Sequence, residues 1–178
     1  SQSVENIRID GSIVNVSVHV RNTGKEEGKE TIQLYVSVPS GKLDQPANVL
    51  AAFAKTSCLR AGTGDVLHLH FDLKELASFS EAQSSYILEN GDYILQLGKN
   101  SMDVENVAVL RLEQSVLVKK VKAFSPKMDI TDAVFAKEPS STDGLPVFAI
   151  DAKAFEPTLM SYEQTEDDCP EIDNLTDD

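Results

Sequence analysis

The chain has no tryptophan, and only four tyrosines and seven phenylalanines among its 178 residues. Sugar-binding faces usually present Trp or Tyr rings, because a rigid ring covers saccharide C–H surface with little loss of conformational entropy. Their scarcity weighs against a stand-alone carbohydrate-binding module. Cysteine is equally scarce: Cys58 and Cys169 are the whole complement, too few for a disulfide-dense secreted scaffold, and both read as free thiols. No apolar run approaches the roughly 20 residues a membrane helix needs, and no basic-then-apolar leader opens the chain. The expectation is a soluble protein with no membrane partner, the cytoplasm slightly favoured as its compartment. Basic charge is also short. Sixteen Lys and Arg stand against 29 Asp and Glu, a net charge of −13, and phosphate binding requires clustered cations, so a nucleic-acid partner is disfavoured.

The acidic excess is unevenly spread. Residues 1–122 carry 15 acidic and 13 basic side chains, whereas residues 123–178 carry 14 acidic and 3 basic. Five of the seven prolines (126, 139, 146, 157 and 170) fall in the same last third, where they disfavour continuous helix or strand. This divides the chain into a structured part, residues 1–121, and an acidic, Pro-interrupted extension or interdomain linker, residues 122–178. Within the extension only Leu145–Ile150 and Ala152–Phe155 are apolar. An extended path pinned by Phe148 and Phe155 is the expectation there.

The first part alternates with a period of two, the mark of half-buried strands. Val14, Val16, Val18 and Val20 share one face, with Asn15, Ser17, His19 and Arg21 on the other. After the charged corner Asn22–Gly28, whose Asn-Thr-Gly can supply positive-φ turn positions, the inward row resumes as Ile32, Leu34, Val36 and Val38. Leu67, Leu69 and Phe71 form another such row. Weaker strands are expected over Val4–Ile9, Leu50–Lys55, Ser85–Glu89 and Asp92–Leu97, with one last strand over Val107–Val118. Asp72-Leu-Lys-Glu75 fits a capping box and one helical turn over Leu73–Ser78, and Asn90-Gly91 marks a hairpin or corner. About seven short strands at roughly 10-residue spacing describe an all-β, immunoglobulin or fibronectin type III-like antiparallel β-sandwich.

Five segments, taken together, are more specific than that pattern: VRNTGKEEGKETIQLYVSVP, LAAFAKT, FDLKELASF, YILENGDYILQLGKNS and VAVLRL. In this order they resemble the fibronectin type III-like domain of family-three glycoside hydrolases, the β-glucosidase and β-xylosidase group, over most of residues 12–113. The resemblance implies that catalysis belongs to a separate barrel and α/β sandwich domain of the same parent chain, with a nucleophilic aspartate in a Ser-Asp-Trp context. No Ser-Asp-Trp occurs here, so no catalytic residue carries over and no cofactor is implied. A retaining glycosidase needs two carboxylates about 5.5 Å apart, and the sequence singles out no such pair. The expected function is a non-catalytic accessory domain of a β-glycosidase. The Pro-broken extension fits the connector of a permuted domain order, and the alternative is an independent carbohydrate- or protein-binding sandwich.

A few residues qualify as site candidates beside plainer readings. His19, His68 and His70 lie outward on strands expected to be neighbours, and three imidazoles can hold a metal ion, although outward histidines are more often polar surface. Tyr35 and Gln33, outward from the buried Leu34 and Val36, are candidates for an interdomain contact, with Tyr35 expected to be solvent-exposed. Tyr93 after Asn90-Gly-Asp92 resembles a tyrosine corner, a structural role. Asn15-Val-Ser17 and Asn174-Leu-Thr176 match the glycosylation triplet, a pattern frequent by chance. The run Glu163–Asp168 lacks the spaced ligands of a dedicated calcium loop.

Overall fold

A computed structural model describes residues 1–43, 45–121 and 141–159. The Asn174 triplet, Cys169 and the acidic run 163–168 lie outside the described residues. Twelve strands are present among the described residues: β1 (Gln2–Asp10), β2 (Ile13–Arg21), β3 (Thr31–Ser37), β4 (Val49–Lys55), β5 (Gly64–Asp72), β6 (Ser78–Ser80), β7 (Ser85–Leu88), β8 (Gly91–Asn100), β9 (Asp103–Leu112), β10 (Val116–Lys120), β11 (Val147–Ala149) and β12 (Thr158–Leu159). They form three sheets, ordered β1-β2-β5, β12-β10-β7-β6 and β11-β9-β8-β3-β4. This is the expected antiparallel sandwich, its two walls joined through the corner between β2 and β3.

The alternation read from the sequence is the alternation that packs. Val14, Val16 and Val18 are fully buried or nearly so, and so are Ile32, Leu34 and Val36 on the facing wall. Leu69 and Phe71, Leu95 and Leu97, and Leu110 and Leu112 complete a single hydrophobic cluster. Each side chain buried there contributes about 1.5–3 kcal/mol relative to an exposed position.

Turn chemistry fits locally. Gly11 (φ 62°) supplies the left-handed residue of the β1–β2 hairpin. Asp72 accepts from Lys74 N at 2.9 Å and starts a single 3-10 turn over Leu73–Leu76. The turn stops short of Ser78 because that residue opens β6, paired with β7.

Of three expectations one is decided between its alternatives and two need correction. Asn90-Gly91, read as a hairpin or a corner, is a corner, because β7 and β8 belong to different sheets. Gly91 (φ 141°) turns the chain across the sandwich, with Pro39 packed where its Cβ would stand. The last strand likewise divides: β9 ends at Leu112, and β10 starts at Val116 in the opposite wall. Ser115 Oγ accepts from Asn90 N at 2.9 Å and bonds Asn90 Oδ1 at 3.0 Å, tying the two crossings together. Third, the positive-φ residues are Gly11, Gly62, Ser84, Gly91 and Gly144 among the described residues, so Asn22, Thr23 and Gly24 turn the corner by another means, described below.

Residues 147–159, which the sequence groups with the extension, join the sandwich. β11 adds to β9 in parallel register, with Phe148 opposite Leu110, and β12 adds to β10. Ile150 and Phe155 are each 5% exposed and belong to the central cluster. Phe155→Ala is therefore expected to lower the unfolding free energy of the whole sandwich by about 3–5 kcal/mol, read from the urea midpoint at unchanged m-value.

Candidate interdomain face

The outer face of the five-stranded sheet is built in cross-strand rungs. Tyr35 on β3 stands opposite Gln96 on β8, which pairs with Asn106 on β9. On the other side of β3, Gln33 faces Phe53 and Tyr35 faces Leu50 of β4. The pairing slips between Leu34 and Tyr35, leaving Ala51 without a partner. This β-bulge puts Leu50 and Phe53, three residues apart, on one face.

Tyr35 is not exposed as expected: it is 8% accessible. β3 is an interior strand between β4 and β8, so its outward row is hemmed in from both sides. The Tyr35 hydroxyl donates to Gln33 Oε1, and Gln33 Nε2 donates to Lys99 O at 2.9 Å. Gln96 Nε2 donates to Asn106 Oδ1 at 2.8 Å, and Asn106 Nδ2 to Ser141 O at 3.1 Å. These polar groups are thus turned on one another, save Gln96 Oε1, which is buried with no partner among the described residues. Standing clear of the face in the middle of β4 are two apolar side chains, Phe53 at 69% and Leu50 at 47% exposure, with the exposed Lys55 beyond them. Periodicity alone misses this pair, because the bulge breaks the count of two.

The histidines occupy the opposite wall. In the β2–β5 ladder His70 faces Asn15, His68 faces Ser17, and His19 faces Val66. His68 Nδ1 is 3.0 Å from Ser17 Oγ, which gives it an ordinary surface partner. No group of three His, Cys, Asp or Glu side chains that could hold a metal ion occurs among the described residues. Asn15 of the glycosylation triplet is exposed on this wall.

The corner between the walls is held by Asn22. Its Nδ2 donates to Glu26 O and to Leu59 O, both at 2.8 Å, and its Oδ1 accepts from Gly24 N at 2.9 Å. Its backbone donates to Thr63 O and accepts from Gly62 N. The turn needs no left-handed residue because the amide replaces one, reaching the β4–β5 connection at the same time. Beside it opens a cleft of about 410 Å³, lined by Arg21, Lys29 and Lys99 together with Glu26, Glu30 and Glu105.

At the far end Tyr93 is fully buried, and its hydroxyl donates to Glu89 O at 2.7 Å. Burial, reinforced by the Glu89 charge, pushes its phenol well above the usual range. The Glu89 carboxylate accepts from Lys42 N and Leu43 N, fastening the loop after β3. Asp92 and Arg111 make a two-pronged ion pair at 2.7 and 2.8 Å.

A profile of the fibronectin type III-like domain matches residues 30–101. A solved β-glucosidase from Paenibacillus barengoltzii shares 35% identity with this chain and superposes over 69% of it with a TM-score of 0.66. The chain carries a fibronectin type III-like domain similar to that of β-glucosidases. β-Glucosidase A of Butyrivibrio fibrisolvens is 31% identical over 70% of this chain, and thermostable β-glucosidase B of Acetivibrio thermocellus is 31% identical over 62%. The chain spans only 16% and 15% of the lengths of those two relatives. The fibronectin-like domain thus makes up a small part of much longer proteins among its relatives.

Two measurements test these contacts. Asn22→Ala removes three side-chain hydrogen bonds and is expected to destabilise the domain by about 2–3 kcal/mol in urea. Asn22→Asp should recover little, since a carboxylate keeps the bond from Gly24 N but donates neither of the others. The Arg111 hydrogen bond and charge hold the Asp92 carboxyl below its ordinary 3.8, opposed by desolvation. A carboxyl with a depressed folded value supports folding above its unfolded value and loses that support as pH falls through the folded one. In an NMR pH titration Asp92 should titrate below 3.8 and return towards it in Arg111→Gln, with only a small change in stability because both groups are well exposed.

Proposed function

We propose that this chain acts as a non-catalytic accessory domain of a β-glycosidase, in which the barrel and α/β sandwich domains of the same polypeptide perform hydrolysis. The single observation that carries this reading is the match of the sandwich to about one sixth of β-glucosidase chains. Its own chemistry agrees. The buried tyrosine and the fastened loops serve the fold, and the best-defined ion pair, Asp92–Arg111, is an exposed cross-strand contact. Among the described residues no helix is long and apolar enough to cross a membrane.

The binding-module reading finds less support. The exposed rings of Phe79 and Tyr86 meet at 5.2 Å but are tilted by 55°, and Lys119 lies over the Tyr86 ring. They present no flat platform for a sugar ring. The purified chain is expected to fold and to release no nitrophenol from aryl β-glucosides, whereas turnover that copurifies with the monomeric chain would overturn the assignment.

A further inference from the structure

We propose that the outer face of β3 and β4 is the surface on which the rest of a β-glucosidase chain seats, with Phe53 as the side chain that enters it. The inference rests on the accessory-domain reading and adds to it the face and the anchor.

Phe53 and Leu50 project together from the last strand of the five-stranded sheet, which is hydrogen-bonded on one side only. An exposed edge strand with a free aromatic ring is an aggregation hazard unless something covers it. The donors beside the ring are already paired, and Gln96 Oε1 is the one buried acceptor on this floor without a partner among the described residues. Tyr35 bonds Gln33, and Gln33 bonds the Lys99 carbonyl, so covering these groups leaves no donor stranded and little desolvation penalty. Further along the same face Ile94, Val109 and Val147 form another uncharged rung. An aromatic anchor beside an aliphatic one, flanked by exposed Lys55 on the same strand and, further off, by the Asp92–Arg111 pair, has the composition of an apolar interface core with a charged rim. The outer face of the β1-β2-β5 sheet differs, carrying Arg8, Asn15, His68 and His70 at exposed positions.

The choice of occupant follows from charge and length. A second copy of this chain would bring another −13, which opposes self-association. In the relatives this sandwich is continuous with a chain roughly six times as long, so a large neighbouring body is tethered to it at high effective concentration. The partner is then a surface with an apolar recess for one phenyl ring, belonging to the remainder of that chain.

Hydrogen exchange on two proteins tests this: the 178-residue chain alone, and the Paenibacillus barengoltzii enzyme with its matching region replaced by this chain. Amides of residues 49–55 should exchange about tenfold or more slowly in the hybrid than in the chain alone. Phe53→Glu should remove that difference and lower the hybrid's Tm while leaving the Tm of the chain alone unchanged, as its exposure requires. Added protection confined to another face would overturn the choice of surface but leave the accessory-domain reading standing. No added protection anywhere would remove both. Protection of 49–55 in the chain alone that grows with its concentration would overturn the proposal in favour of a second copy as occupant.

Discussion

Everything in this domain depends on one apolar layer, the contact of the β2 valine row with the inner rows of β3, β8 and β9. Val14, Val16 and Val18 leave no room for solvent against Ile32, Leu34, Leu95 and Leu110. A one-residue slip in any of these strands would turn its inner row to water, so register is fixed wherever a row is buried. The crossings at Gly91 and at Glu113–Ser115 carry the chain from wall to wall without opening that layer. Ile150 and Phe155 then close part of it from beyond the main run of strands.

Polar groups act as fasteners around the layer. Asn22 binds the corner to the β4–β5 connection, Glu89 binds the loop after β3, and Tyr93 ties its strand to the residue four before it. Each joins segments distant in sequence or spans a turn, and each satisfies backbone groups that would otherwise be lost to burial. Their placement explains why the residues most distinctive in the sequence, Asn-Thr-Gly and Glu-Asn-Gly-Asp-Tyr, are structural. What they build is a sandwich whose outer β3–β4 face presents Phe53 and Leu50, with Lys55 at its border.

The fold and its likeness to a hydrolase accessory domain were legible because both rest on short-range signals. Alternation identifies a half-buried strand, and a corner residue shows itself through the type its bonding requires. The candidate face was legible only in part. Tyr35 and Gln33 could be assigned to the outer side of β3 by counting, but counting could not say that they bond each other and lie under cover. Phe53 escapes such a count because the bulge at Ala51 shifts the alternation by one, and a bulge is a property of the pairing, not of either strand. Of the three histidines, the neighbouring strands were foreseen, yet register set them opposite Val66, Ser17 and Asn15.

The sequence by itself determined which residues are inward, where the chain turns, and which domain the sandwich resembles, since each depends on side chains within a few residues of one another. Only the tertiary structure decided that β7 and β8 part to opposite walls, that residues 147–155 return to close the core, and that Phe53 with Leu50 is the apolar feature left uncovered on the outer face of β3 and β4. Those outcomes depend on which distant segments compete for the same hydrogen-bonding edge and the same buried volume, and that competition is settled only when the whole chain is packed.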